Sequence, residues 1–174
     1  MFQTKGKIFP IVITVIAITM IIYLFVNVEQ PLIVCERKVN DNLDITISEV
    51  LETTLDNNKI ESMILVKTIV LPEKYLKDES YLDSIMFSLE KSYEYLGNDK
   101  FSITKKDDRV SVRVEIDNDE TIILNNIQFF ENDGLQMRIN PNTKSSEVLT
   151  LKVKDNYSEG EFMIRLKNNG YSCK

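Results

Sequence analysis

Leu43–Leu71, LDITISEVLETTLDNNKIESMILVKTIVL, decides the fold class of this chain. Leu43, Ile45 and Ile47 alternate with Asp44, Thr46 and Ser48, the period of a strand with one wet face. Asp56-Asn57-Asn58 supplies turn chemistry, because Asn and Asp bond their own backbone and tolerate left-handed conformations. Ile60 to Leu71 then resumes as a long β-branched run that ends at Pro72, so the two runs form an antiparallel hairpin. Ile64 to Val66 shows no alternation, which predicts a strand covered on both faces, and Lys67 interrupts it.

Beyond Pro72 the period changes. Leu82, Ile85, Met86, Leu89 and Tyr93 make one stripe of an amphipathic helix, with Ser80 as the expected N-cap and Gly97 as the stop. That stripe is expected to lie across the sheet. Phe101–Lys105 and Arg109–Ile116 read as two further strands joined by a tight turn at Lys106-Asp107-Asp108, with Val110, Val112, Val114 and Ile116 on one face. Residues 119–155 are expected to be irregular with short strands. Thr121 to Phe130 is open between strand and short helix, because a brief apolar run does not define its own period. Asn132-Asp133-Gly134 and Asn140-Pro141-Asn142 read as turns, and Val148, Leu149, Leu151 and Val153 as a strand. A last helix is expected to start at Ser158, whose hydroxyl and Glu161 fit a capping box, and to stop at Asn169-Gly170 with Phe162, Met163 and Leu166 inward. The fold class is therefore α+β, an antiparallel sheet packed with two helices.

Upstream of the hairpin lies Ile8–Val26, IFPIVITVIAITMIIYLFV. Its nineteen residues would reach roughly 28 Å as a helix, close to the ~30 Å of a bilayer core. It reads as a transmembrane helix that also serves as an uncleaved signal anchor. A cleaved signal peptide has a shorter apolar region and small residues at its end, whereas this run ends in Asn27, Val28, Glu29 and Gln30. Lys5 and Lys7 precede it and the first base after it is Arg37, which places residues 1–7 in the cytoplasm and the remainder outside. The expected organisation is a cytoplasmic head (1–7), a single span (8–26), a linker (27–34) and one extracytoplasmic domain (35–174).

That soluble part holds all 27 acidic residues but 19 of the 21 basic ones, a net charge of about minus 8. Phosphate backbones need clustered Lys and Arg, so nucleic acid is excluded as a partner. Cys35 and Cys173 are the only cysteines, and in an oxidising compartment a bridge between them would close almost the whole soluble chain into one loop. Two buried free thiols are the alternative; a redox pair lacks the CxxC spacing. Lipidation of Cys35 is rejected, because Val34 is too large for the preceding position and eight residues separate Cys35 from the apolar run.

Several features together resemble the small YehR-like lipoproteins of Firmicutes. These are Cys35 followed by charged residues and a long hairpin, the helix LDSIMFSLEKSYEYLG, the strand pair around DDRVSVRVEID, and the ending Gly170-Tyr171-Ser172-Cys173-Lys174. The similarity covers residues 35–117 and 157–174, and members of that family often finish in a similar G-Y-T-C-K. It implies an α+β domain outside the cell membrane and implies no particular activity. The chain departs from the family in its spanning helix, which stands where those proteins carry a lipidated cysteine.

No catalytic, cofactor or metal residues are assigned. The absence of histidine removes Ser-His and Cys-His arrangements and makes zinc improbable, and five scattered glycines offer no phosphate loop. Asp117, Asn118, Asp119 and Glu120 lack the order of a calcium-binding loop and read as a turn. Asn156-Tyr157-Ser158 matches a glycosylation sequon, a frequent coincidence. Two functions are carried forward. One is a membrane-tethered, non-enzymatic binding or accessory domain for an envelope protein or glycan. The other is an envelope enzyme with paired carboxylates, such as a glycan hydrolase.

Overall fold

The computed structural model describes residues 32–41, 43–124, 127–131, 135–139 and 149–174. The expected head and span, the linker as far as residue 31, and the turns at 132–134 and 140–142 lie outside the described residues. Among the described residues no helix is long and apolar enough to cross a membrane.

The hairpin is the centre of the molecule. Strand β2 (Thr46–Asp56) pairs with β3 (Lys59–Val70) through a turn in which Asn57 and Asn58 both take positive φ, 49° and 62°. Two consecutive left-handed residues match the twist of the flanking strands, and Asn accepts that conformation at low cost. The alternating stretch starts later than its pattern suggests. Asp41 Oδ1 accepts from the Leu43 and Ile45 backbone N–H groups, so Leu43–Ile45 form a turn before β2 begins.

Strand β1 (Leu32–Asn40) pairs with β2, and its first three residues occupy the end of the expected 27–34 linker. Strands β4 (Phe101–Lys106) and β5 (Arg109–Ile116) form the expected hairpin, and β5 lies beside β3. With the short β10 (Ser172–Cys173) the main sheet has the order β10-β1-β2-β3-β5-β4, antiparallel throughout. One face is buried across the central strands: Ile47, Leu51, Met63, Leu65, Ile69, Val110, Val112 and Val114 lie on it, all in the core. The expectation that Ile64 to Val66 is covered on both faces is not met. Leu65 points into the core, whereas Ile64 and Val66 are partly exposed on the other face, because β3 alternates strictly through its centre.

Helix α1 (Glu79–Tyr93) packs on β4 and β5 and against β8 (Leu135–Ile139) with Leu82, Ile85, Leu89 and Tyr93 buried. Its N-cap is Asp78 rather than Ser80: the Asp78 carboxylate accepts from the Ser80 backbone N–H, so capping starts two residues earlier. A 3-10 turn over Glu94–Leu96 continues the helix, and Gly97 at φ 93° ends it as expected.

The middle, residues 119–155, is short strands and turns where it is described, as expected. Strand β6 (Thr121–Leu124) pairs with β9 (Leu149–Lys152), and β7 (Ile127–Glu131) pairs with β8. Helix α2 (Glu159–Lys167) opens with the expected capping box between Ser158 and Glu161 and buries Phe162 and Leu166, with Met163 partly buried. Thr53 on the core face of β2 is 1% exposed, and among the described residues its Oγ1 is the buried side-chain polar atom with no hydrogen-bond partner. Thr53→Val keeps the shape and removes the stranded hydroxyl, so it is expected to stabilise the domain by about 1 kcal/mol in urea denaturation.

Candidate functional site

Arg37, Glu49 and Lys67 stand directly opposite one another on β1, β2 and β3, a charged row on the core face of the sheet. Strand periodicity puts them there. Glu49 shares its side of β2 with Ile47 and Leu51, and Lys67 shares its side of β3 with Leu65 and Ile69. Lys67 therefore does not interrupt the strand; it is buried within it at 3% exposure, and Glu49 at 2%.

The Glu49 carboxylate takes four donors. Oε1 lies 3.0 Å from Lys67 Nζ. Oε2 accepts from Arg37 Nε at 2.9 Å, from Arg37 Nη2 at 2.5 Å and from the Tyr171 hydroxyl at 2.6 Å. Arg37 also donates to the Asn169 carbonyl at 3.3 Å, and its guanidinium lies 4.8 Å from the centre of the Tyr171 ring. Lys67 Nζ lies 6.0 Å from the centre of the Tyr93 ring on α1. Gly170, at φ 85°, provides the left-handed step that takes the chain from α2 back to Tyr171, and it passes close to Arg37.

Burial pushes the Glu49 carboxyl upward, but the Lys67 and Arg37 charges and the Tyr171 hydrogen bond outweigh it and hold Glu49 below the ordinary carboxylate range. Burial also pulls Lys67 downward, and the facing Tyr93 and Glu49 more than offset it, raising Lys67 above its usual range. Burial and the Glu49 charge push the Tyr171 phenol up, so it stays protonated and donates. With three donors on Oε2, Lys67 on Oε1 and 2% exposure, this carboxylate is engaged as a buried counter-ion. The row works as a clamp that joins β1, β2, β3, α1 and the segment after α2.

The two sequence-assigned site residues meet beside it. Cys35 and Cys173 form a disulfide between directly opposed positions of β1 and β10, with Cα atoms 4.0 Å apart. Val34 and Lys174 exchange both backbone hydrogen bonds one step away, so the cysteines occupy a non-hydrogen-bonded pair, where opposed Cα atoms come closest. Cys35 and Arg37 are neighbours on the core face of β1, and Cys173 and Tyr171 have the same spacing on the facing C-terminal segment. Disulfide and clamp thus secure one seam.

Asp117–Glu120 is the expected turn, with Asn118 and Asp119 at φ 51° and 73°. Lys100 reaches Asp117 at 2.6 Å and Glu120 at 3.4 Å, and Lys154 reaches Asp119 at 2.8 Å. Among the described residues no group of three or more His, Cys, Asp or Glu is arranged to hold a metal. An open cavity of about 340 Å³ near the β2–β3 turn is lined by Asp56, Lys59, Glu61, Asn118 and Lys154 among others, with charges of both signs. Asn156 of the sequon is exposed and bridges to Lys59, and the Ser158 hydroxyl is taken up by the capping box.

Arg37, Glu49 and Tyr171 were not readable as a site from composition or motifs. The available signal was a charge at a position whose i±2 neighbours are apolar, which Glu49 and Lys67 both show. Comparison with protein-family models, curated proteins and solved structures finds no match for this chain.

Proposed function

We propose that the chain is a membrane-anchored extracytoplasmic binding or accessory domain, held by Ile8–Val26 and acting without catalysis on an envelope protein or glycan. The reading places it with the small YehR-like lipoproteins, its spanning helix replacing their lipid. The observation that carries it is the Cys35–Cys173 disulfide, since such bridges persist in oxidising compartments. The ion-paired Glu49 supports a structural rather than a catalytic use of the acid that is buried among the described residues.

A glycan hydrolase is the competing reading, and it would draw on Asp56 and Glu61 in the open cavity. A general acid needs a carboxyl kept protonated by burial, and both of these are exposed and share the cavity with two lysines. The test is labelling of intact cells with a membrane-impermeant maleimide, with and without prior reduction. Labelling that appears only after reduction is the expected result. Labelling that needs lysis but no reduction would place free thiols in the cytosol and overturn the proposal.

A further inference from the structure

The face of the main sheet turned away from the core is patterned as an interface. Over Thr46–Thr54 of β2 and Ser62–Val70 of β3, beyond the charged Asp56, Lys59 and Glu61 at the hairpin end, ten residues point outward and all are partly exposed. Four of them are Val or Ile, five are Ser or Thr, and Glu52 alone carries charge. On the flanking strands β1 and β5, five of the nine outward residues facing this region are charged. A centre depleted of charge inside a charged rim is the anatomy of protein–protein contact, whereas an ordinary solvated sheet face mixes charge throughout. No described residue covers this face.

Register identifies the partner. Glu36, Val50, Val66 and Arg113 stand opposite one another in a single row across β1, β2, β3 and β5. The row reads acid, valine, valine, base, so it is complementary to its own reverse. We propose that a second copy of this chain docks here, sheet face on sheet face, about a two-fold axis that runs parallel to the strands between β2 and β3. That rotation lays Val50 over the partner copy's Val66 and Glu36 over its Arg113, twice per dimer. Aligned sheets pack about 30° apart, so the row ends, roughly 7 Å from the axis, shift by about 4 Å. Glu and Arg side chains span that shift. Among the described residues Glu36 has no ion-pair partner, and Arg113 bonds Glu115 through Nε at 3.0 Å, on the same face.

Four strands at ~4.8 Å spacing and about eight residues of ~3.3 Å rise give a plane of roughly 500 Å². Stable interfaces bury about 800 Å² per partner, so the pairing is a weak, exchanging one that must be trapped to be seen. The inference holds on either side of a membrane, so it stands or falls separately from the maleimide result.

The test uses two differently tagged full-length chains expressed together, treated in whole cells with a membrane-permeant amine-reactive cross-linker and then captured through one tag. Wild-type chains are expected to co-isolate. Glu36→Arg in both copies, or Arg113→Glu in both, places like charges opposite one another and is expected to lower recovery at least tenfold. Glu36→Arg in one copy with Arg113→Glu in the other restores both ion pairs and is expected to return recovery to the wild-type level. That rescue also shows that neither variant is merely misfolded. Absence of wild-type co-isolation overturns the proposal, as does a mixed pair that recovers no better than the matched ones. So does indifference to both reversals, the outcome expected if another protein or residues 8–26 occupy the face.

Discussion

Glu49→Gln is expected to destabilise the domain by about 3–5 kcal/mol, because it takes the carboxylate away from Lys67, a fully buried cation, and from the part-buried Arg37 beside it. Domains of this size have only ~5–15 kcal/mol in total, so most of the molecules would unfold well before the wild type does in urea. Circular dichroism gives the readout. Replacing the whole row at once, Arg37→Met, Glu49→Leu and Lys67→Met, removes the desolvation cost along with the attraction and is expected to come within about 1 kcal/mol of wild type or above it. If Glu49→Gln alone proved neutral, the row would not be a clamp.

The same row sets a pH dependence. Glu49 has its folded pKa lowered, so its contribution is present above the ordinary carboxylate value of ~4.3 and is lost as pH falls through the lower folded value. Lys67 has its folded pKa raised, so its contribution is complete below the ordinary ~10.4 and is lost as pH rises through the higher folded value. Stability is expected to be flat between about pH 5 and 10 as far as this pair is concerned, and Glu49→Gln is expected to remove most of its share of the acid limb.

Removing the disulfide is the second large effect. Its half-cystines are 138 residues apart. On the chain-entropy account a loop of that length is worth about 5 kcal/mol, and loss of a native bridge from a small domain typically costs 2–5. Cys35→Ala with Cys173→Ala is expected to lower stability by about 4 kcal/mol in urea denaturation. Because Tyr171 and Arg37 hold the same seam two residues from each cysteine, combining this change with Glu49→Gln is expected to be non-additive. A strictly additive double variant would show that bridge and clamp are independent.

The hairpin turn, the stripe of α1, the faces of β5 and the cap of α2 were legible because each is written in neighbouring residues: turn chemistry at Asn57-Asn58, apolar spacing over Leu82–Tyr93, alternation over Val110–Ile116, and Ser158 with Glu161. The less legible parts have local signals that compete. Asp78 and Ser80 are both good caps, and only the direction of entry into α1 selects Asp78. Residues 121–130 suit strand or helix until a partner segment arrives, and β8 and β9 are the partners. Leu32–Asn40 carries a charged half that hides a strand, since Arg37 faces the core only because Glu49 awaits it there.

By itself, then, the sequence determined the fold class, the central hairpin and the two helices, because those rest on propensity and periodicity within a few turns of chain. The pairing of Cys35 with Cys173 was open to it as a conditional inference from there being two cysteines. Tertiary structure alone decided the strand order, the burial of Glu49 and Lys67 in one row with Arg37, and the joining of Tyr171 to Glu49 across a separation of 122 residues. Such contacts depend on which strand lies beside which. The free energy that makes a buried charge tolerable comes from partners far away in the chain, and no local pattern encodes them.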